Sequence, residues 1–218
     1  MNNSRFNGPI LAVALCLSGV ASSGAFAANV QCADQTDKTR ITQYLKTVEA
    51  GAPLPVLARD MSILETRIAS GLPAGQSVGT VATDETITTV WKTIEKWGRS
   101  TRVWLVFSIN GTHTFNFPST VPMRQADDGD GFHDVYADGN TGVHAHLLRP
   151  EISSIFAAKL PSAEDGIFAR SVNFYDDNGG LIIGIYASMA DGKGEPAGIT
   201  GFADTWDAIA EMPQVCSG

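Results

Sequence analysis

The chain predicts an α+β domain: N-terminal helices followed by a curved antiparallel β-sheet, closed by a C-terminal helix. Three observations predict it. Apolar residues recur at helical spacing up to Trp97-Gly98, and at Thr101 the pattern changes to runs of β-branched and aromatic residues. Short turn sequences join these runs, namely Asn110-Gly111, Asp138-Gly139-Asn140 and Asp177-Asn178-Gly179-Gly180, so consecutive strands fold back as hairpins. The last apolar stripe, Phe202, Trp206 and Ile209, is helical again. Helices followed by consecutive hairpins make an antiparallel sheet, curved enough to form part of a barrel.

The first residues read as a leader. Arg5 precedes an apolar run from Ile10 to Val20 that is too short to span a bilayer, and Ala25-Phe26-Ala27 is a small-x-small cleavage signal. Residues 1–27 are therefore expected to be a signal peptide, cleaved after about Ala27. Residues 28–218 then form a single domain of about 190 residues, periplasmic or secreted. Leu15 before Cys16 argues against lipidation, and no later stretch is long and apolar enough to span a membrane.

Asp34 or Thr36 can cap a first helix carrying Ile41, Tyr44, Leu45 and Val48, which Gly51 stops. Pro53 and Pro55 open a second helix with Val56, Leu57, Met61, Leu64 and Ile68 on one side, ended by Gly71, Pro73 and Gly75. Asp84 starts a third, with Ile87, Val90, Trp91, Ile94 and Trp97 as its stripe and Gly98 as its stop. Residues 101–109 and 112–117 form the first hairpin, around a two-residue Asn110-Gly111 turn, with Pro118 and Pro122 breaking the second strand. Residues 127–131, Asp-Asp-Gly-Asp-Gly, read as a loop, since they lack the ligand pattern of a calcium loop. Residues 152–159 fit a strand or a helical turn, residues 170–175 and 181–186 form the last hairpin, and Thr200 caps the terminal helix.

Charge and cysteines narrow the function. Loss of Arg5 with the leader leaves 14 basic against 23 acidic residues, a net charge of −9. So acidic a chain is a poor partner for nucleic acid or anionic lipid. Cys32 and Cys216 remain after cleavage, and an even count in an oxidising compartment predicts a disulfide between them. There is no Cys-x-x-Cys, no Gly-x-Ser-x-Gly elbow, no phosphate-cradling glycine loop and no His-Glu-x-x-His, so no catalytic constellation is visible.

The stretch from Gly131 to Leu147 holds three of the four histidines, on two short strands around Asp138-Gly139-Asn140. Alternation puts His144 and His146 on one face with Ala145 opposite, and the hairpin is expected to fold His133 towards them. Such imidazoles suit a metal ion, with Asp134 as a further ligand, or a haem iron; they equally suit solvated surface positions. Arg149 and Arg170 could each pair with a ligand carboxylate or sit at a solvated strand end.

The order of features resembles the haem-utilisation carrier family ChuX/HutX. The residues that carry the resemblance are Trp97-Gly98, Val121-Pro122, Gly129-Asp130-Gly131-Phe132, His146-Leu147, Arg170-Ser171-Val172-Asn173-Phe174-Tyr175, the turn through Gly179, and Ile185-Tyr186. Upstream, residues 64–69 and Leu72-Pro73 match the family's helical part, so the resemblance runs from about Leu54 to Ala187. It implies a strand over residues 152–159, a homodimer, and binding of haem or a related tetrapyrrole for transfer rather than turnover. By position it implies His146 as iron ligand, with His144 or His133 second, Phe132 facing the porphyrin, and Arg170 as a propionate partner. Two departures stand out. Phe132 cannot ligate iron where the family commonly has tyrosine, and Gly184 stands where the family commonly has lysine. A domain that kept the fold and lost haem is the alternative reading, and a haem-degrading enzyme is a third.

Overall fold

The computed structural model describes residues 30–47, 52–109, 111–125, 131–161, 166–189 and 191–216. The expected leader, Val48, Gly51, Asn110 and residues 127–130 lie outside them.

Helix α1 (Gln35–Tyr44) starts at Asp34, whose carboxylate accepts the N–H of Asp37 at 2.8 Å. The expected second helix is two. α2 (Leu54–Met61) ends at Ser62, left-handed at φ 53°, and α3 (Glu65–Ser70) starts afresh. The break re-aims the chain, so that Leu57 and Met61 on one piece and Ile68 and Ala69 on the other are all buried. Strand β1 (Ser77–Val81) has no counterpart in the sequence reading, because Ser-Val-Gly-Thr-Val carries little apolar alternation. Its place in the sheet comes from pairing with a strand far along the chain, Gly79 lying opposite Phe156. A Cβ on Gly79 would fall 2.3 Å from that ring. Apart from β1, the order is as expected: N-terminal helices, then the antiparallel strands, then a C-terminal helix.

Helix α4 (Asp84–Glu95) starts at Asp84 as expected, and Thr83 and Thr86 form a capping box before it. Gly98, at φ +99°, ends the turn that follows. The strands are β2 (Arg102–Ile109), β3 (His113–Thr120), β4 (Met123–Arg124), β5 (Phe132–Tyr136), β6 (His144–Leu148), β7 (Ile152–Pro161), β8 (Phe168–Asp176) and β9 (Leu181–Ser188). Ile109 lies opposite His113, so three residues connect β2 to β3, not two. Pro118 does not break β3 but lies within it, opposite Trp104. It is tolerated because β3 is an outer strand, with no ladder on its far side. Helix α5 (Pro196–Ala210) begins before Thr200, with Pro196 in the first helical position.

The strands form two antiparallel sheets: six strands in the order β1-β7-β8-β9-β2-β3, and three in the order β4-β5-β6. The large sheet is covered on both sides. Under α1–α3 lie Val106, Phe156, Tyr175 and Tyr186. The other face packs Ile155, Phe174 and Ile185 with α4, α5 and the inner residues Val135 and Leu147 of the small sheet. Helix α5 approaches closely at Gly201, where a Cβ would fall 2.2 Å from the Trp97 ring. The Trp97 indole N–H donates to Thr205 at 3.0 Å. Cys32 and Cys216 are bonded, with Cα atoms 5.4 Å apart. The tail before Cys216 runs along β1, the N–H of Val215 donating to the Gly79 carbonyl at 2.9 Å. No helix among the described residues is long and apolar enough to cross a membrane, which does not bear on β-barrels.

Candidate functional site

The β5–β6 hairpin turns at Asp138, Gly139 and Asn140, all three at positive φ. The serine hydroxyl of Ser119 donates to Asp138 at 2.8 Å and fixes that turn to β3. The resulting register sets Phe132 opposite Leu148, Asp134 opposite His146 and Tyr136 opposite His144. Strand alternation then divides the hairpin into two faces.

Val135, Leu147 and His133 face inward. His133 is only 1 % exposed and meets Trp91 edge-on, ring centroids 4.6 Å apart. The structure thus does not bring His133 to the other two histidines: an odd-numbered position on β5 shares its face with the core, not with Asp134.

The outer face carries Phe132, Asp134, Tyr136, His144 and His146. Their rings form a row, with centroids 6.0 Å apart from Phe132 to His146, 4.3 Å from His146 to His144, and 3.9 Å from His144 to Tyr136, which stack. His146 is fixed by a hydrogen bond, its Nδ1 lying 2.6 Å from Oδ1 of Asp134. A carboxylate can only accept, so Nδ1 carries a hydrogen, and in the neutral ring the lone pair is then on Nε2. That is the arrangement that holds a ligating imidazole at a metal. Tyr136 was not anticipated from the sequence, although the period-2 rule placed it on this face. Asp134 was read there as a further ligand; it is hydrogen-bonded to His146 instead.

Among the described residues no three of His, Cys, Asp and Glu converge as a metal-ion site. The outer face offers single imidazoles beside flat rings. This fits an iron already held by a porphyrin, which needs one or two protein ligands, better than a bare ion that needs three or four.

Arg170 lies elsewhere. It pairs with Lys159, whereas Ile152, at the end of β7 that the hairpin feeds, pairs with Asp176. Its guanidinium donates to the Phe168 carbonyl at 2.8 Å and to Ser188 at 3.3 Å, and burial lowers its pKa. Arg149 follows β6; its backbone N–H donates to the Gly131 carbonyl and its side chain approaches Asp84 of α4 at 3.9 Å. Gly184 faces α1–α3, where a Cβ would fall 2.7 Å from Oδ1 of Asn173 and 2.9 Å from the Tyr186 ring. A lysine does not fit this packing.

A cleft of about 690 Å³ lies under α1–α3, with Arg40, Arg59, Arg67, Asp37, Glu65 and Asp176 in its walls. No histidine, tyrosine, cysteine or methionine lines it, so the cleft has a suitable size but no axial ligand for haem, and we place the candidate site on the ring row.

No protein-family model and no curated protein sequence matches the chain. Solved structures do. A protein from Erwinia carotovora aligns with a TM-score of 0.58 at 20 % identity, over 78 % of this chain and 98 % of its own. The heme binding protein ChuX aligns at 0.57 and 17 %, over 78 % and 99 %. ChuS, an E. coli heme oxygenase, aligns at 0.54 and 14 %, over 78 % of this chain and 48 % of its own, so the chain spans about half of ChuS. The fold is that shared by the haem-utilisation proteins ChuX and ChuS.

Proposed function

We propose that the protein is an exported carrier that binds haem, or a related tetrapyrrole, on the outer face of the β5–β6 hairpin and passes it on without turning it over. The observation that carries this reading is the His146–Asp134 hydrogen bond within a row of four rings. His146 would hold iron through Nε2, with His144 as the second imidazole. Phe132 and Tyr136 would flank the macrocycle. Bound haem would supply the iron; His146 would supply its ligand, Asp134 would orient that ligand, and Phe132 and Tyr136 would supply the apolar edge. The likeness to a heme binding protein supports the reading, and the leader-like sequence and the disulfide support export. Exposed Phe115 and Phe117 on the outer strand β3 suit a homodimer.

A second reading, an interaction domain without haem, draws on Phe132 in place of tyrosine and on the solvent-exposed His144 and His146. Titration of the purified protein with haemin separates the two. The carrier reading expects a saturable Soret band near one haem per chain, and at least tenfold weaker binding in His146→Ala. No saturable band, or wild-type binding in both His146→Ala and His144→Ala, sinks it. A bile-pigment spectrum on adding a reductant would assign the fold's enzymatic role instead.

A further inference from the structure

The carboxylate behind His146 is well placed to do more than orient it. Asp134 is the direct cross-strand partner of His146 on the small sheet, flanked on its own strand face by Phe132 and Tyr136. Its side chain is 24 % exposed while that of His146 is 54 % exposed, so the carboxylate is the more covered of the two. With Nδ1 held by Asp134, Nε2 is the ring nitrogen of the neutral imidazole left to bind iron.

We propose that Asp134 makes the site selective for ferric over ferrous haem. This rests on the reading of His146 as iron ligand. Two effects act in the same direction. The short hydrogen bond draws the Nδ1 hydrogen towards the carboxylate, which makes the ring a stronger donor at Nε2. The negative charge behind the ring also acts through space. Ferric haem carries one more positive charge at its centre than ferrous haem, so a fixed anion on the axial side stabilises the ferric form more. Solvent around the exposed imidazole screens this, which limits the expected discrimination to about tenfold rather than thousands. Among the described residues the other members of this face of the hairpin are aromatic, histidine or leucine.

The test measures the midpoint potential of the haem complex, together with haemin affinity, in wild type, Asp134→Asn, Asp134→Glu and His146→Ala. Asp134→Asn keeps an acceptor for Nδ1–H but removes the charge. It is expected to retain the Soret band while its ferric-to-ferrous affinity ratio falls about tenfold, a rise of about 59 mV in the one-electron midpoint potential. Asp134→Glu restores the charge and is expected to return the potential towards wild type. Asp134→Ser provides the same comparison should the asparagine variant not fold. An unchanged potential in a charge-free variant that still binds haem through His146 overturns the inference and leaves the carrier reading intact. Wild type that binds no haem removes both readings; His146→Ala with the wild-type potential removes His146 as ligand and overturns this inference, while the carrier reading then rests on His144→Ala.

Discussion

His133 and Trp91 meet edge-on inside the protein, ring centroids 4.6 Å apart, on the side of β5 facing away from His146. The pair joins the small sheet to α4, and Trp91 in turn packs against Phe174 of the large sheet at 5.1 Å. His133→Ala is therefore expected to cost about 2 kcal/mol of stability, as lost packing in a core contact. Haem affinity should stay within about threefold of wild type, because under 1 kcal/mol is involved. Urea denaturation and haemin titration measure the two. Wild-type stability with abolished haem binding would return His133 to the iron.

Glu65 is 3 % exposed at the start of α3. One oxygen accepts the hydroxyl of Ser108 at 2.6 Å and the other accepts the N–H of Leu181. Burial raises its pKa from the ordinary 4.5, and the two hydrogen bonds only partly oppose it. A carboxyl with a raised folded-state pKa keeps its proton longer folded than unfolded. Its contribution to stability is thus fully present below 4.5 and is lost as the pH rises through the raised value. Wild type compared with Glu65→Gln should look relatively better at pH 4 than at pH 8 in denaturant melts. A difference that does not change with pH would show that the carboxyl is not perturbed.

The disulfide closes a loop of 184 residues and ties the tail that lies along β1 to the segment before α1. Loss of so long a loop closure costs about 2–5 kcal/mol in stability. The double variant Cys32→Ala/Cys216→Ala should melt well below wild type, and wild type should fall to meet it under reductant. Alkylation of two thiols in the unreduced protein would rule the bond out.

Ser62 adopts φ 53° where α2 gives way to α3. A side chain there is strained by about 1 kcal/mol relative to glycine. Ser62→Gly should accordingly raise stability by about 0.5–1 kcal/mol, less any gain in unfolded-state freedom. An unchanged or lower thermal midpoint would mean that the serine contributes more than its backbone costs.

Much of the fold was legible because it is written locally. The stripe Ile87, Val90, Trp91 and Ile94 reads as a helix without knowledge of its partners, and residues 181–186 read as a strand in the same way. β1 was not legible, since a five-residue segment with glycine and serine takes its conformation from β7, more than seventy positions away. The split between α2 and α3 was missed for a similar reason: Val56 to Ile68 carries a continuous apolar stripe, and only the sheet beneath requires a change of direction at Ser62.

For the candidate site the division is sharper. The sequence alone determined that His144 and His146 share a face and that Ala145 does not, because successive side chains of a strand point to opposite sides whatever surrounds it. Tertiary structure decided that this face looks outward, that Asp134 stands behind His146, that His133 belongs to the core, and that Arg170 lies at a distant strand end. The register between β5 and β6 and the cover provided by α4 set these outcomes. Both depend on contacts between residues far apart in the chain, where the alternation of a single strand carries no information.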